Sequence, residues 1–488
     1  MNRPLRRVTA VMFLLFAALF VNLNYLQVIR AQDLADDNRN TRKLVEEYQL
    51  QRGSMIVGRG EGRTEIARSV DTGGRYRYER RYPDGPLWAH ITGFYSIVYG
   101  RSGLENSANR FLVGDAPEQF ARNLGHFLSG RERQGDDVLL TLRPRVQQAA
   151  RDALNGRDGA VVAIDPSTGD LLAVYANPTF DPNELSTFDR ESAISYWEQS
   201  EQDRRNRALR ETYPPGSTFK IVTAAAALED GASPDSTYPD PQVYTPPLTT
   251  RGIPNFGGGL CAGGGQITLQ RALEVSCNTV FARLGNEVGA EGLIDTSERF
   301  GLNAELDGFV GAASSAIPQD LDPPAEAQSA IGQRDVRVTP LQMAMITAAI
   351  ANDGMLMQPR LIERVQQFDG RVVREFEPQP WEVGGNDDGQ AIPQRVARDL
   401  QQMMQGVVDN GTGTAAAISG VDVGGKTGTA QVGEGRAPTV WFVGFAPVDD
   451  AQVAVAVVLP EGGGVGDDAT GGAIAAPIAR AVMEAALQ

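Results

Sequence analysis

The stretch Pro214-Pro215-Gly216-Ser217-Thr218-Phe219-Lys220 runs directly into the apolar segment Ile221 to Leu228. The alanine-rich tail of that segment is a strong helix former. Residues three apart share a helix face, so Ser217 and Lys220 can turn Oγ and Nζ toward one another. A lysine acts as a base only when neutral. Burial under an apolar helix, or a second cation nearby, favours that form. Serine followed three residues on by lysine is a weak pattern alone, arising roughly once or twice by chance in a chain of this length.

Composition narrows what such a serine can do. The chain has 488 residues, 42% of them hydrophobic and 22% charged, which is globular and long enough for two or three units. Its two histidines, His90 and His126, both fall in the first third, away from any nucleophile motif. A serine–histidine–aspartate triad or an imidazole-rich zinc site would have to be built there. The general base of a serine enzyme with this sequence is therefore not histidine. Three of the 45 basic residues are lysines: Lys43, Lys220 and Lys426. Arginine cannot give up its proton in a protein and a desolvated lysine can, so the surviving lysines mark positions where arginine would not serve. The net charge of -16 argues against nucleic acid as a partner. Two cysteines, Cys261 and Cys277, exclude a disulfide scaffold and any site needing three thiolates. A disulfide between them and a pair of buried thiols remain equal alternatives.

Along the chain, Arg3, Arg6 and Arg7 precede an uncharged run from Val8 to Ile29 that Arg30 ends. About 20 apolar residues suffice to cross a bilayer, and the basic flank predicts a cytoplasmic N-terminus with the remainder outside. The expectation is an uncleaved single-pass anchor over 1–30; a cleaved signal peptide is the competing reading. Residues 31–136 are polar and arginine-rich, with strands predicted at Gly53 to Val57 and Ser96 to Tyr99, and read as a non-catalytic module. From 137 to 488 the pattern changes. Val138 to Leu142 reads as a strand and Pro144 opens a helix to Leu154. Ala160 to Asp165 and Asp170 to Ala176 form a hairpin around Pro166-Ser167-Thr168-Gly169. Thr439 to Phe445 and Gln452 to Leu459 form a second, and a last helix spans Ala473 to Leu487. Strands at both ends around a helical middle imply an α+β domain whose sheet is assembled from distant segments. The Gly-rich pieces Gly257 to Gly265 and Gly462 to Gly472 read as loops, since neither ends in Gly-Lys-Ser/Thr.

Two further motifs complete the first. Ser276-Cys277-Asn278 follows the helix-like Leu269 to Val275; its serine can relay a proton and its amide can bind a peptide carbonyl. Gly424-Gly425-Lys426-Thr427-Gly428-Thr429-Ala430 reads as a strand edge that a ligand can approach closely. Thr427 and Thr429 alternate, so their hydroxyls share a face and, with Lys426, make a receptor for a carboxylate. The N–H groups of Ser217 and Thr429 are the expected oxyanion hole. The two serines stand 59 positions apart and Lys426 another 150 on.

Serine-x-x-lysine, serine-x-asparagine and lysine-threonine-glycine in this order resemble the motif set of the penicillin-binding protein and serine β-lactamase superfamily. The chain is similar to the class B penicillin-binding proteins, monofunctional peptidoglycan transpeptidases, and among them to the A type of actinobacteria. Arg52-Gly53-Ser54-Met55-Ile56 and Gly103-Leu104-Glu105 resemble elements of the class B N-terminal module. Ala163 to Gly169, Ala330-Ile331-Gly332-Gln333 and Asn410 to Ala415 resemble landmarks of the catalytic domain. Related enzymes often carry a hydroxyl residue and a second glycine where this chain has Ala330 and Arg334.

The resemblance implies a catalytic domain with a five-stranded antiparallel sheet packed by helices and a largely helical subdomain. It implies a dimerisation or pedestal module over 31–136. The catalytic residues implied are Ser217, Lys220, Ser276 and Lys426, with Asn278, Thr427, Gly428 and Thr429 binding substrate, and with neither metal nor cofactor. Implied partners are peptidoglycan stem peptides, β-lactams, and other membrane proteins of wall synthesis or division. A D,D-carboxypeptidase or β-lactamase would use the same residues with water as acceptor. A penicillin-sensing receptor or an inactive scaffold is a rival of another class; the seven residues ahead of the apolar run leave the former no cytoplasmic domain, and the intact motifs disfavour the latter.

Overall fold

The computed structural model describes residues 2–30, 47–116 and 134–488, apart from 59, 75, 307, 309, 432, 434, 435, 467 and 468. Lys43 and His126 lie outside the described residues. The first helix, α1 (Asn2–Asn24), continues as a π-helical turn, Tyr25–Ile29. Its Arg6–Val28 stretch has a mean hydropathy of 1.9 and is unburied, which makes one helix long and apolar enough to span a membrane.

The N-terminal module is built on β1 (Met55–Val57), β2 (Thr64–Asp71) and β3 (Tyr78–Arg81), followed by α2 (Gly85–Thr92). The predicted strand at Ser96 to Tyr99 is instead a two-residue strand, Tyr95–Ser96, paired with Gly100–Arg101 around a tight turn. Glu105, fully buried, receives Arg52 Nε at 2.6 Å and Arg80 Nε at 2.6 Å, and the Tyr82 hydroxyl at 3.2 Å. Burial works against the Glu105 charge, but the Arg80 and Arg52 guanidiniums outweigh it and hold the carboxyl below its usual range. The two N-terminal landmarks, Arg52-Gly53 and Gly103-Leu104-Glu105, thus meet as one buried ion cluster.

This module shares its sheet with the rest of the chain. Strand β4 (Asp137–Leu140) pairs parallel with β1. Next come α3 (Pro144–Leu154), β5 (Gly159–Ile164), β6 (Leu171–Asn177), α4 (Lys220–Glu229), α5 (Leu269–Glu274), α6 (Asn278–Arg299) and α7 (Pro340–Ala351). Then β7 (Ile362–Gln366) returns to pair antiparallel with β4, and β8 (Val372–Glu375) adds the edge. The order is β8-β7-β4-β1-β2-β3, so one six-stranded sheet spans the 136/137 boundary.

The last elements are α8 (Gln394–Asn410), β9 (Gly424–Ala430), β10 (Thr439–Ala446), β11 (Val453–Leu459) and α9 (Ala476–Ala486). With the hairpin β5–β6 they form a five-stranded antiparallel sheet in the order β9-β10-β11-β5-β6. Both hairpins and the union of distant segments match the sequence reading. Strands β5, β10 and β11 are buried at every residue, so both faces are covered. Helices α3 and α9 pack on each other and on the sheet, and α7 packs on β5, β10 and β11. The Thr339 side chain caps α7 at the Gln342 N–H, Pro340 opens it, and eleven of its twelve residues are buried.

Candidate active site

Ser217 sits in a 3-10 turn, Gly216–Phe219, and Lys220 is the first residue of α4. Gly216 has φ of 54°, and its N–H donates to the Gly332 carbonyl at 2.9 Å. Strand β9 lies against this turn: a Cβ on Gly428 would come within 2.9 Å of the Pro215 carbonyl oxygen and the Thr218 methyl. Glycine at 428 therefore lets the sheet edge reach the nucleophile. Gly428 is not part of the cleft wall; it sets the spacing of that wall. Behind the turn, Trp441 Nε1 of β10 donates to the Pro214 carbonyl at 3.0 Å.

Both lysines are fully buried. Lys220 Nζ meets the Ser276 carbonyl at 2.7 Å, the Asn278 Oδ1 at 2.7 Å and the Ser276 Oγ at 3.2 Å. Lys426 Nζ donates to the same Ser276 Oγ at 2.9 Å and to the Thr427 carbonyl at 3.0 Å. Desolvation, and then the charge of Lys426, push Lys220 well below its ordinary value. Desolvation lowers Lys426 to about 7. A neutral Lys220 amine has two hydrogens, which the Ser276 carbonyl and Asn278 Oδ1 accept, and one lone pair left for a hydroxyl proton. The sequence reading pairs Lys220 directly with Ser217. In the structure its hydrogen bonds go to the Ser276–Asn278 motif, because Ser217 lies on the tighter turn ahead of the α-helix.

Ser276 joins α5 to α6 and has φ of 61°, a left-handed backbone that ordinarily selects glycine at a helix end. Its N–H reaches the Leu273 carbonyl at 3.1 Å and that of Cys277 the Ala272 carbonyl at 2.8 Å, which hold this conformation. Asn278 opens α6, and its Nδ2 donates to the Pro254 carbonyl at 3.1 Å. The Asn278 amide, expected to meet substrate, thus spends Oδ1 and one Nδ2 hydrogen on protein groups and lines the cleft with a second Nδ2 hydrogen still to give. Between the two motif residues, Cys277 forms a disulfide with Cys261, which decides the alternative the sequence leaves open. The bridge ties the Gly-rich loop to the site, and the Asp240 carboxylate fixes that loop further by accepting the N–H groups of Cys261, Ala262 and Gly264.

Ser217, Ser276, Asn278, Thr427 and Thr429 line one cleft of about 350 Å³. Phe256, Gln333, Thr412, Thr414 and Thr470 line it too, without a role from the sequence. The Thr412 and Thr427 hydroxyls are 2.6 Å apart. Phe256 is 74% exposed at the cleft, while Gln333, Thr412 and Thr414 fall within the segments Ala330 to Gln333 and Asn410 to Ala415 that the sequence already singled out. Arg334 has φ of 63°, the conformation that accounts for glycine at this position in related enzymes. The Ala330 carbonyl accepts the Thr223 hydroxyl at 2.7 Å. His90 lies away from the cleft on α2, its Nε2 donating to the Pro178 carbonyl at 3.2 Å, and burial lowers it to about 4.

A nucleophile turn, two buried lysines about one serine, and an edge strand laid across them define a serine acyl-transfer site. Residues 159–484 match the penicillin-binding protein transpeptidase domain, and the chain belongs to that family. Residues 52–138 match the penicillin-binding protein A dimerisation domain. The chain is 41% identical to the peptidoglycan D,D-transpeptidase PbpA of Mycolicibacterium smegmatis, over 100% of this chain and 99% of that protein. It is 38% identical to PbpA of Mycobacterium tuberculosis, with the same coverage. Among solved structures, the ceftriaxone acyl-enzyme complex of penicillin-binding protein A from M. tuberculosis is similar at 37% identity and a TM-score of 0.86, covering 91% of this chain and all of that one. The penicillin G acyl-enzyme complex of the same protein is similar at a TM-score of 0.83.

Proposed function

We infer that this protein is a peptidoglycan D,D-transpeptidase that works through a serine acyl-enzyme and is inhibited by β-lactams. The observation that supports this reading is the fully buried Lys220, three residues after Ser217 and held below its ordinary pKa by desolvation, which meets Ser276 and Asn278 of the cleft that Ser217 lines. Relatives matched over the whole chain bear that activity in their names, and similar structures are β-lactam acyl-enzymes.

In this mechanism Ser217 Oγ attacks the carbonyl of the penultimate D-alanine of a stem peptide, and Lys220 Nζ takes its proton. The developing oxyanion is met by the N–H groups of Ser217 and Thr429. Ser276, bonded to Lys426, passes a proton to the departing D-alanine amine. Thr427 and Thr429 receive the terminal carboxylate, Gly428 keeps their strand close, and Asn278 orients Lys220 as well as the peptide. A second stem peptide's amine then attacks the acyl-enzyme and forms the cross-link. A β-lactam acylates Ser217 and leaves no departing group.

The arginine-flanked α1 supports a single-pass anchor with the catalytic domain outside the cytoplasm. Residues 1–30 anchor, 31–136 position the enzyme through dimerisation or other wall-synthesis or division membrane proteins, and 137–488 catalyse. The test is labelling of the full chain by fluorescent penicillin beside Ser217→Ala. Labelling of the parent and none of the variant is expected; an unlabelled parent refutes the reading. Cross-linked dimer from a pentapeptide donor separates transfer from hydrolysis, which would release D-alanine alone.

A further inference from the structure

A second cavity among the described residues lies apart from the catalytic cleft. It measures about 610 Å³, within the range of ligand sites, and lies where the N-terminal module meets the catalytic domain. One wall comes from α2 and the segment after it, including Phe94; the other comes from residues 180–211, including Phe180 and Trp197. The Trp197 ring stacks on Tyr99 at 4.1 Å, and the Arg204 guanidinium lies over the Trp197 ring at 3.5 Å. Its lining joins apolar and aromatic side chains, Phe94, Phe180 and Trp197 among them, to the arginines Arg204, Arg205 and Arg210.

The cations are Arg204, Arg205 and Arg210. Arg205 is paired with Glu211 at 2.7 Å. Arg204 spends one nitrogen on the Trp197 carbonyl and Ser200 hydroxyl. Among the described residues neither Arg204 nor Arg210 has a carboxylate within ion-pair distance, although Glu201 shares the rim. Two guanidiniums with free donors above an aromatic floor suit a carboxylate on a small apolar body.

The cavity also connects to the nucleophile. Glu211, held by Arg205, accepts the Tyr213 hydroxyl at 2.6 Å. The Tyr213 ring meets Trp441 edge-on at 6.2 Å, and Trp441 holds the Pro214 carbonyl three residues before Ser217. Trp441 is also the register partner of Gly428 on β9.

We propose that this junction cavity is a second peptide site, which binds the free terminal carboxylate of a wall peptide through Arg204 and Arg210 and reports its occupancy to the Ser217 turn. The proposal rests on the transpeptidase reading for the identity of the peptide and for nothing else. Binding there would fix the 204–213 segment and with it the carbonyl that Trp441 anchors.

The test uses the full chain in detergent, with Ser217 first blocked by penicillin G so that the cleft is closed. N-acetyl-D-alanyl-D-alanine is titrated while tryptophan fluorescence and melting temperature are followed. Parallel arms use the C-terminally amidated peptide, inorganic phosphate, and the variants Arg204→Gln and Arg210→Gln. The expected result is saturable binding of the free acid to the blocked parent, weakened at least tenfold by amidation and by either substitution. Penicillin labelling of Arg210→Gln without peptide should match the parent. No saturable change in the blocked parent overturns the proposal, and so does amidated peptide or phosphate binding as tightly as the acid. Normal labelling of Ser217 beside such a failure leaves the transpeptidase reading standing; absent labelling removes that reading instead.

Discussion

Lys220 and Lys426 approach one hydroxyl, that of Ser276, at 3.2 and 2.9 Å, and both are fully buried. Two ammonium ions in that space would repel at low effective dielectric, so the pair holds at most one proton comfortably. Acylation of Ser217 should therefore slow as pH falls and Lys220 takes up a proton, which penicillin labelling rates across pH will read. Lys220→Arg keeps the charge and forbids its loss, so labelling should drop by about 10²- to 10⁴-fold, the range for losing a general base. Stability carries the same signature. The Lys426 value is about 7 in the folded protein against an ordinary 10.5, so between these the unfolded chain holds a proton the folded one lacks. Stability gained from this residue should rise with pH through that window, and urea midpoints of Lys426→Met should show a flatter rise.

At the scale of elements, β9 and the Ser217 turn are fitted through a missing side chain. Gly428→Ala would put a methyl 2.9 Å from the Pro215 carbonyl oxygen and 3.0 Å from the Trp441 Cβ. The strand must then lift from the turn. Penicillin labelling should fall at least tenfold while thermal unfolding stays cooperative; unchanged labelling would disprove the fit. The sequence announced β9 because lysine, threonine and glycine sat in one short run. It announced the helix from Pro144 to Leu154 and both hairpins because proline, turn residues and apolar runs are local signals. Phe256 and Thr470 were silent, since each reaches the cleft from a loop that looks locally like ordinary surface, whereas Thr412 and Thr414 lay within the Asn410 to Ala415 landmark without a role of their own. The left-handed backbone of Ser276 was silent for a related reason, since strain at a non-glycine residue leaves no trace in composition, whereas Arg334 stood out as a position where related enzymes carry glycine. Pairing partners were likewise illegible. The strand after Asp137 could be read, but nothing local says that Ile362–Gln366 lies beside it.

Across the whole molecule, the buried cluster of Glu105, Arg52 and Arg80 ties the start of the N-terminal module to its later helices. Glu105→Gln leaves the buried Arg80 without its counter-charge and Arg52 with only Glu47 at 3.9 Å, so a loss of about 3–5 kcal/mol is expected in chemical denaturation. Because β4, β7 and β8 complete the module's sheet, that loss should also loosen the catalytic half, and a single shared transition would show it. Two separate transitions, with only the first shifted, would contradict the shared sheet.

The same sheet has a mechanical meaning for a tethered enzyme. Residues 47–54 lead into β1 with Tyr48 and Arg52 already buried, and the ladders of β1 run to β2 on one side and, in parallel, to β4 on the other. A tug along β1 therefore strains its hydrogen bonds sideways and together, the direction in which short ladders resist best, instead of peeling them singly. A pull on that end would thus load the six-stranded sheet as a whole, ahead of the five-stranded sheet that carries β9.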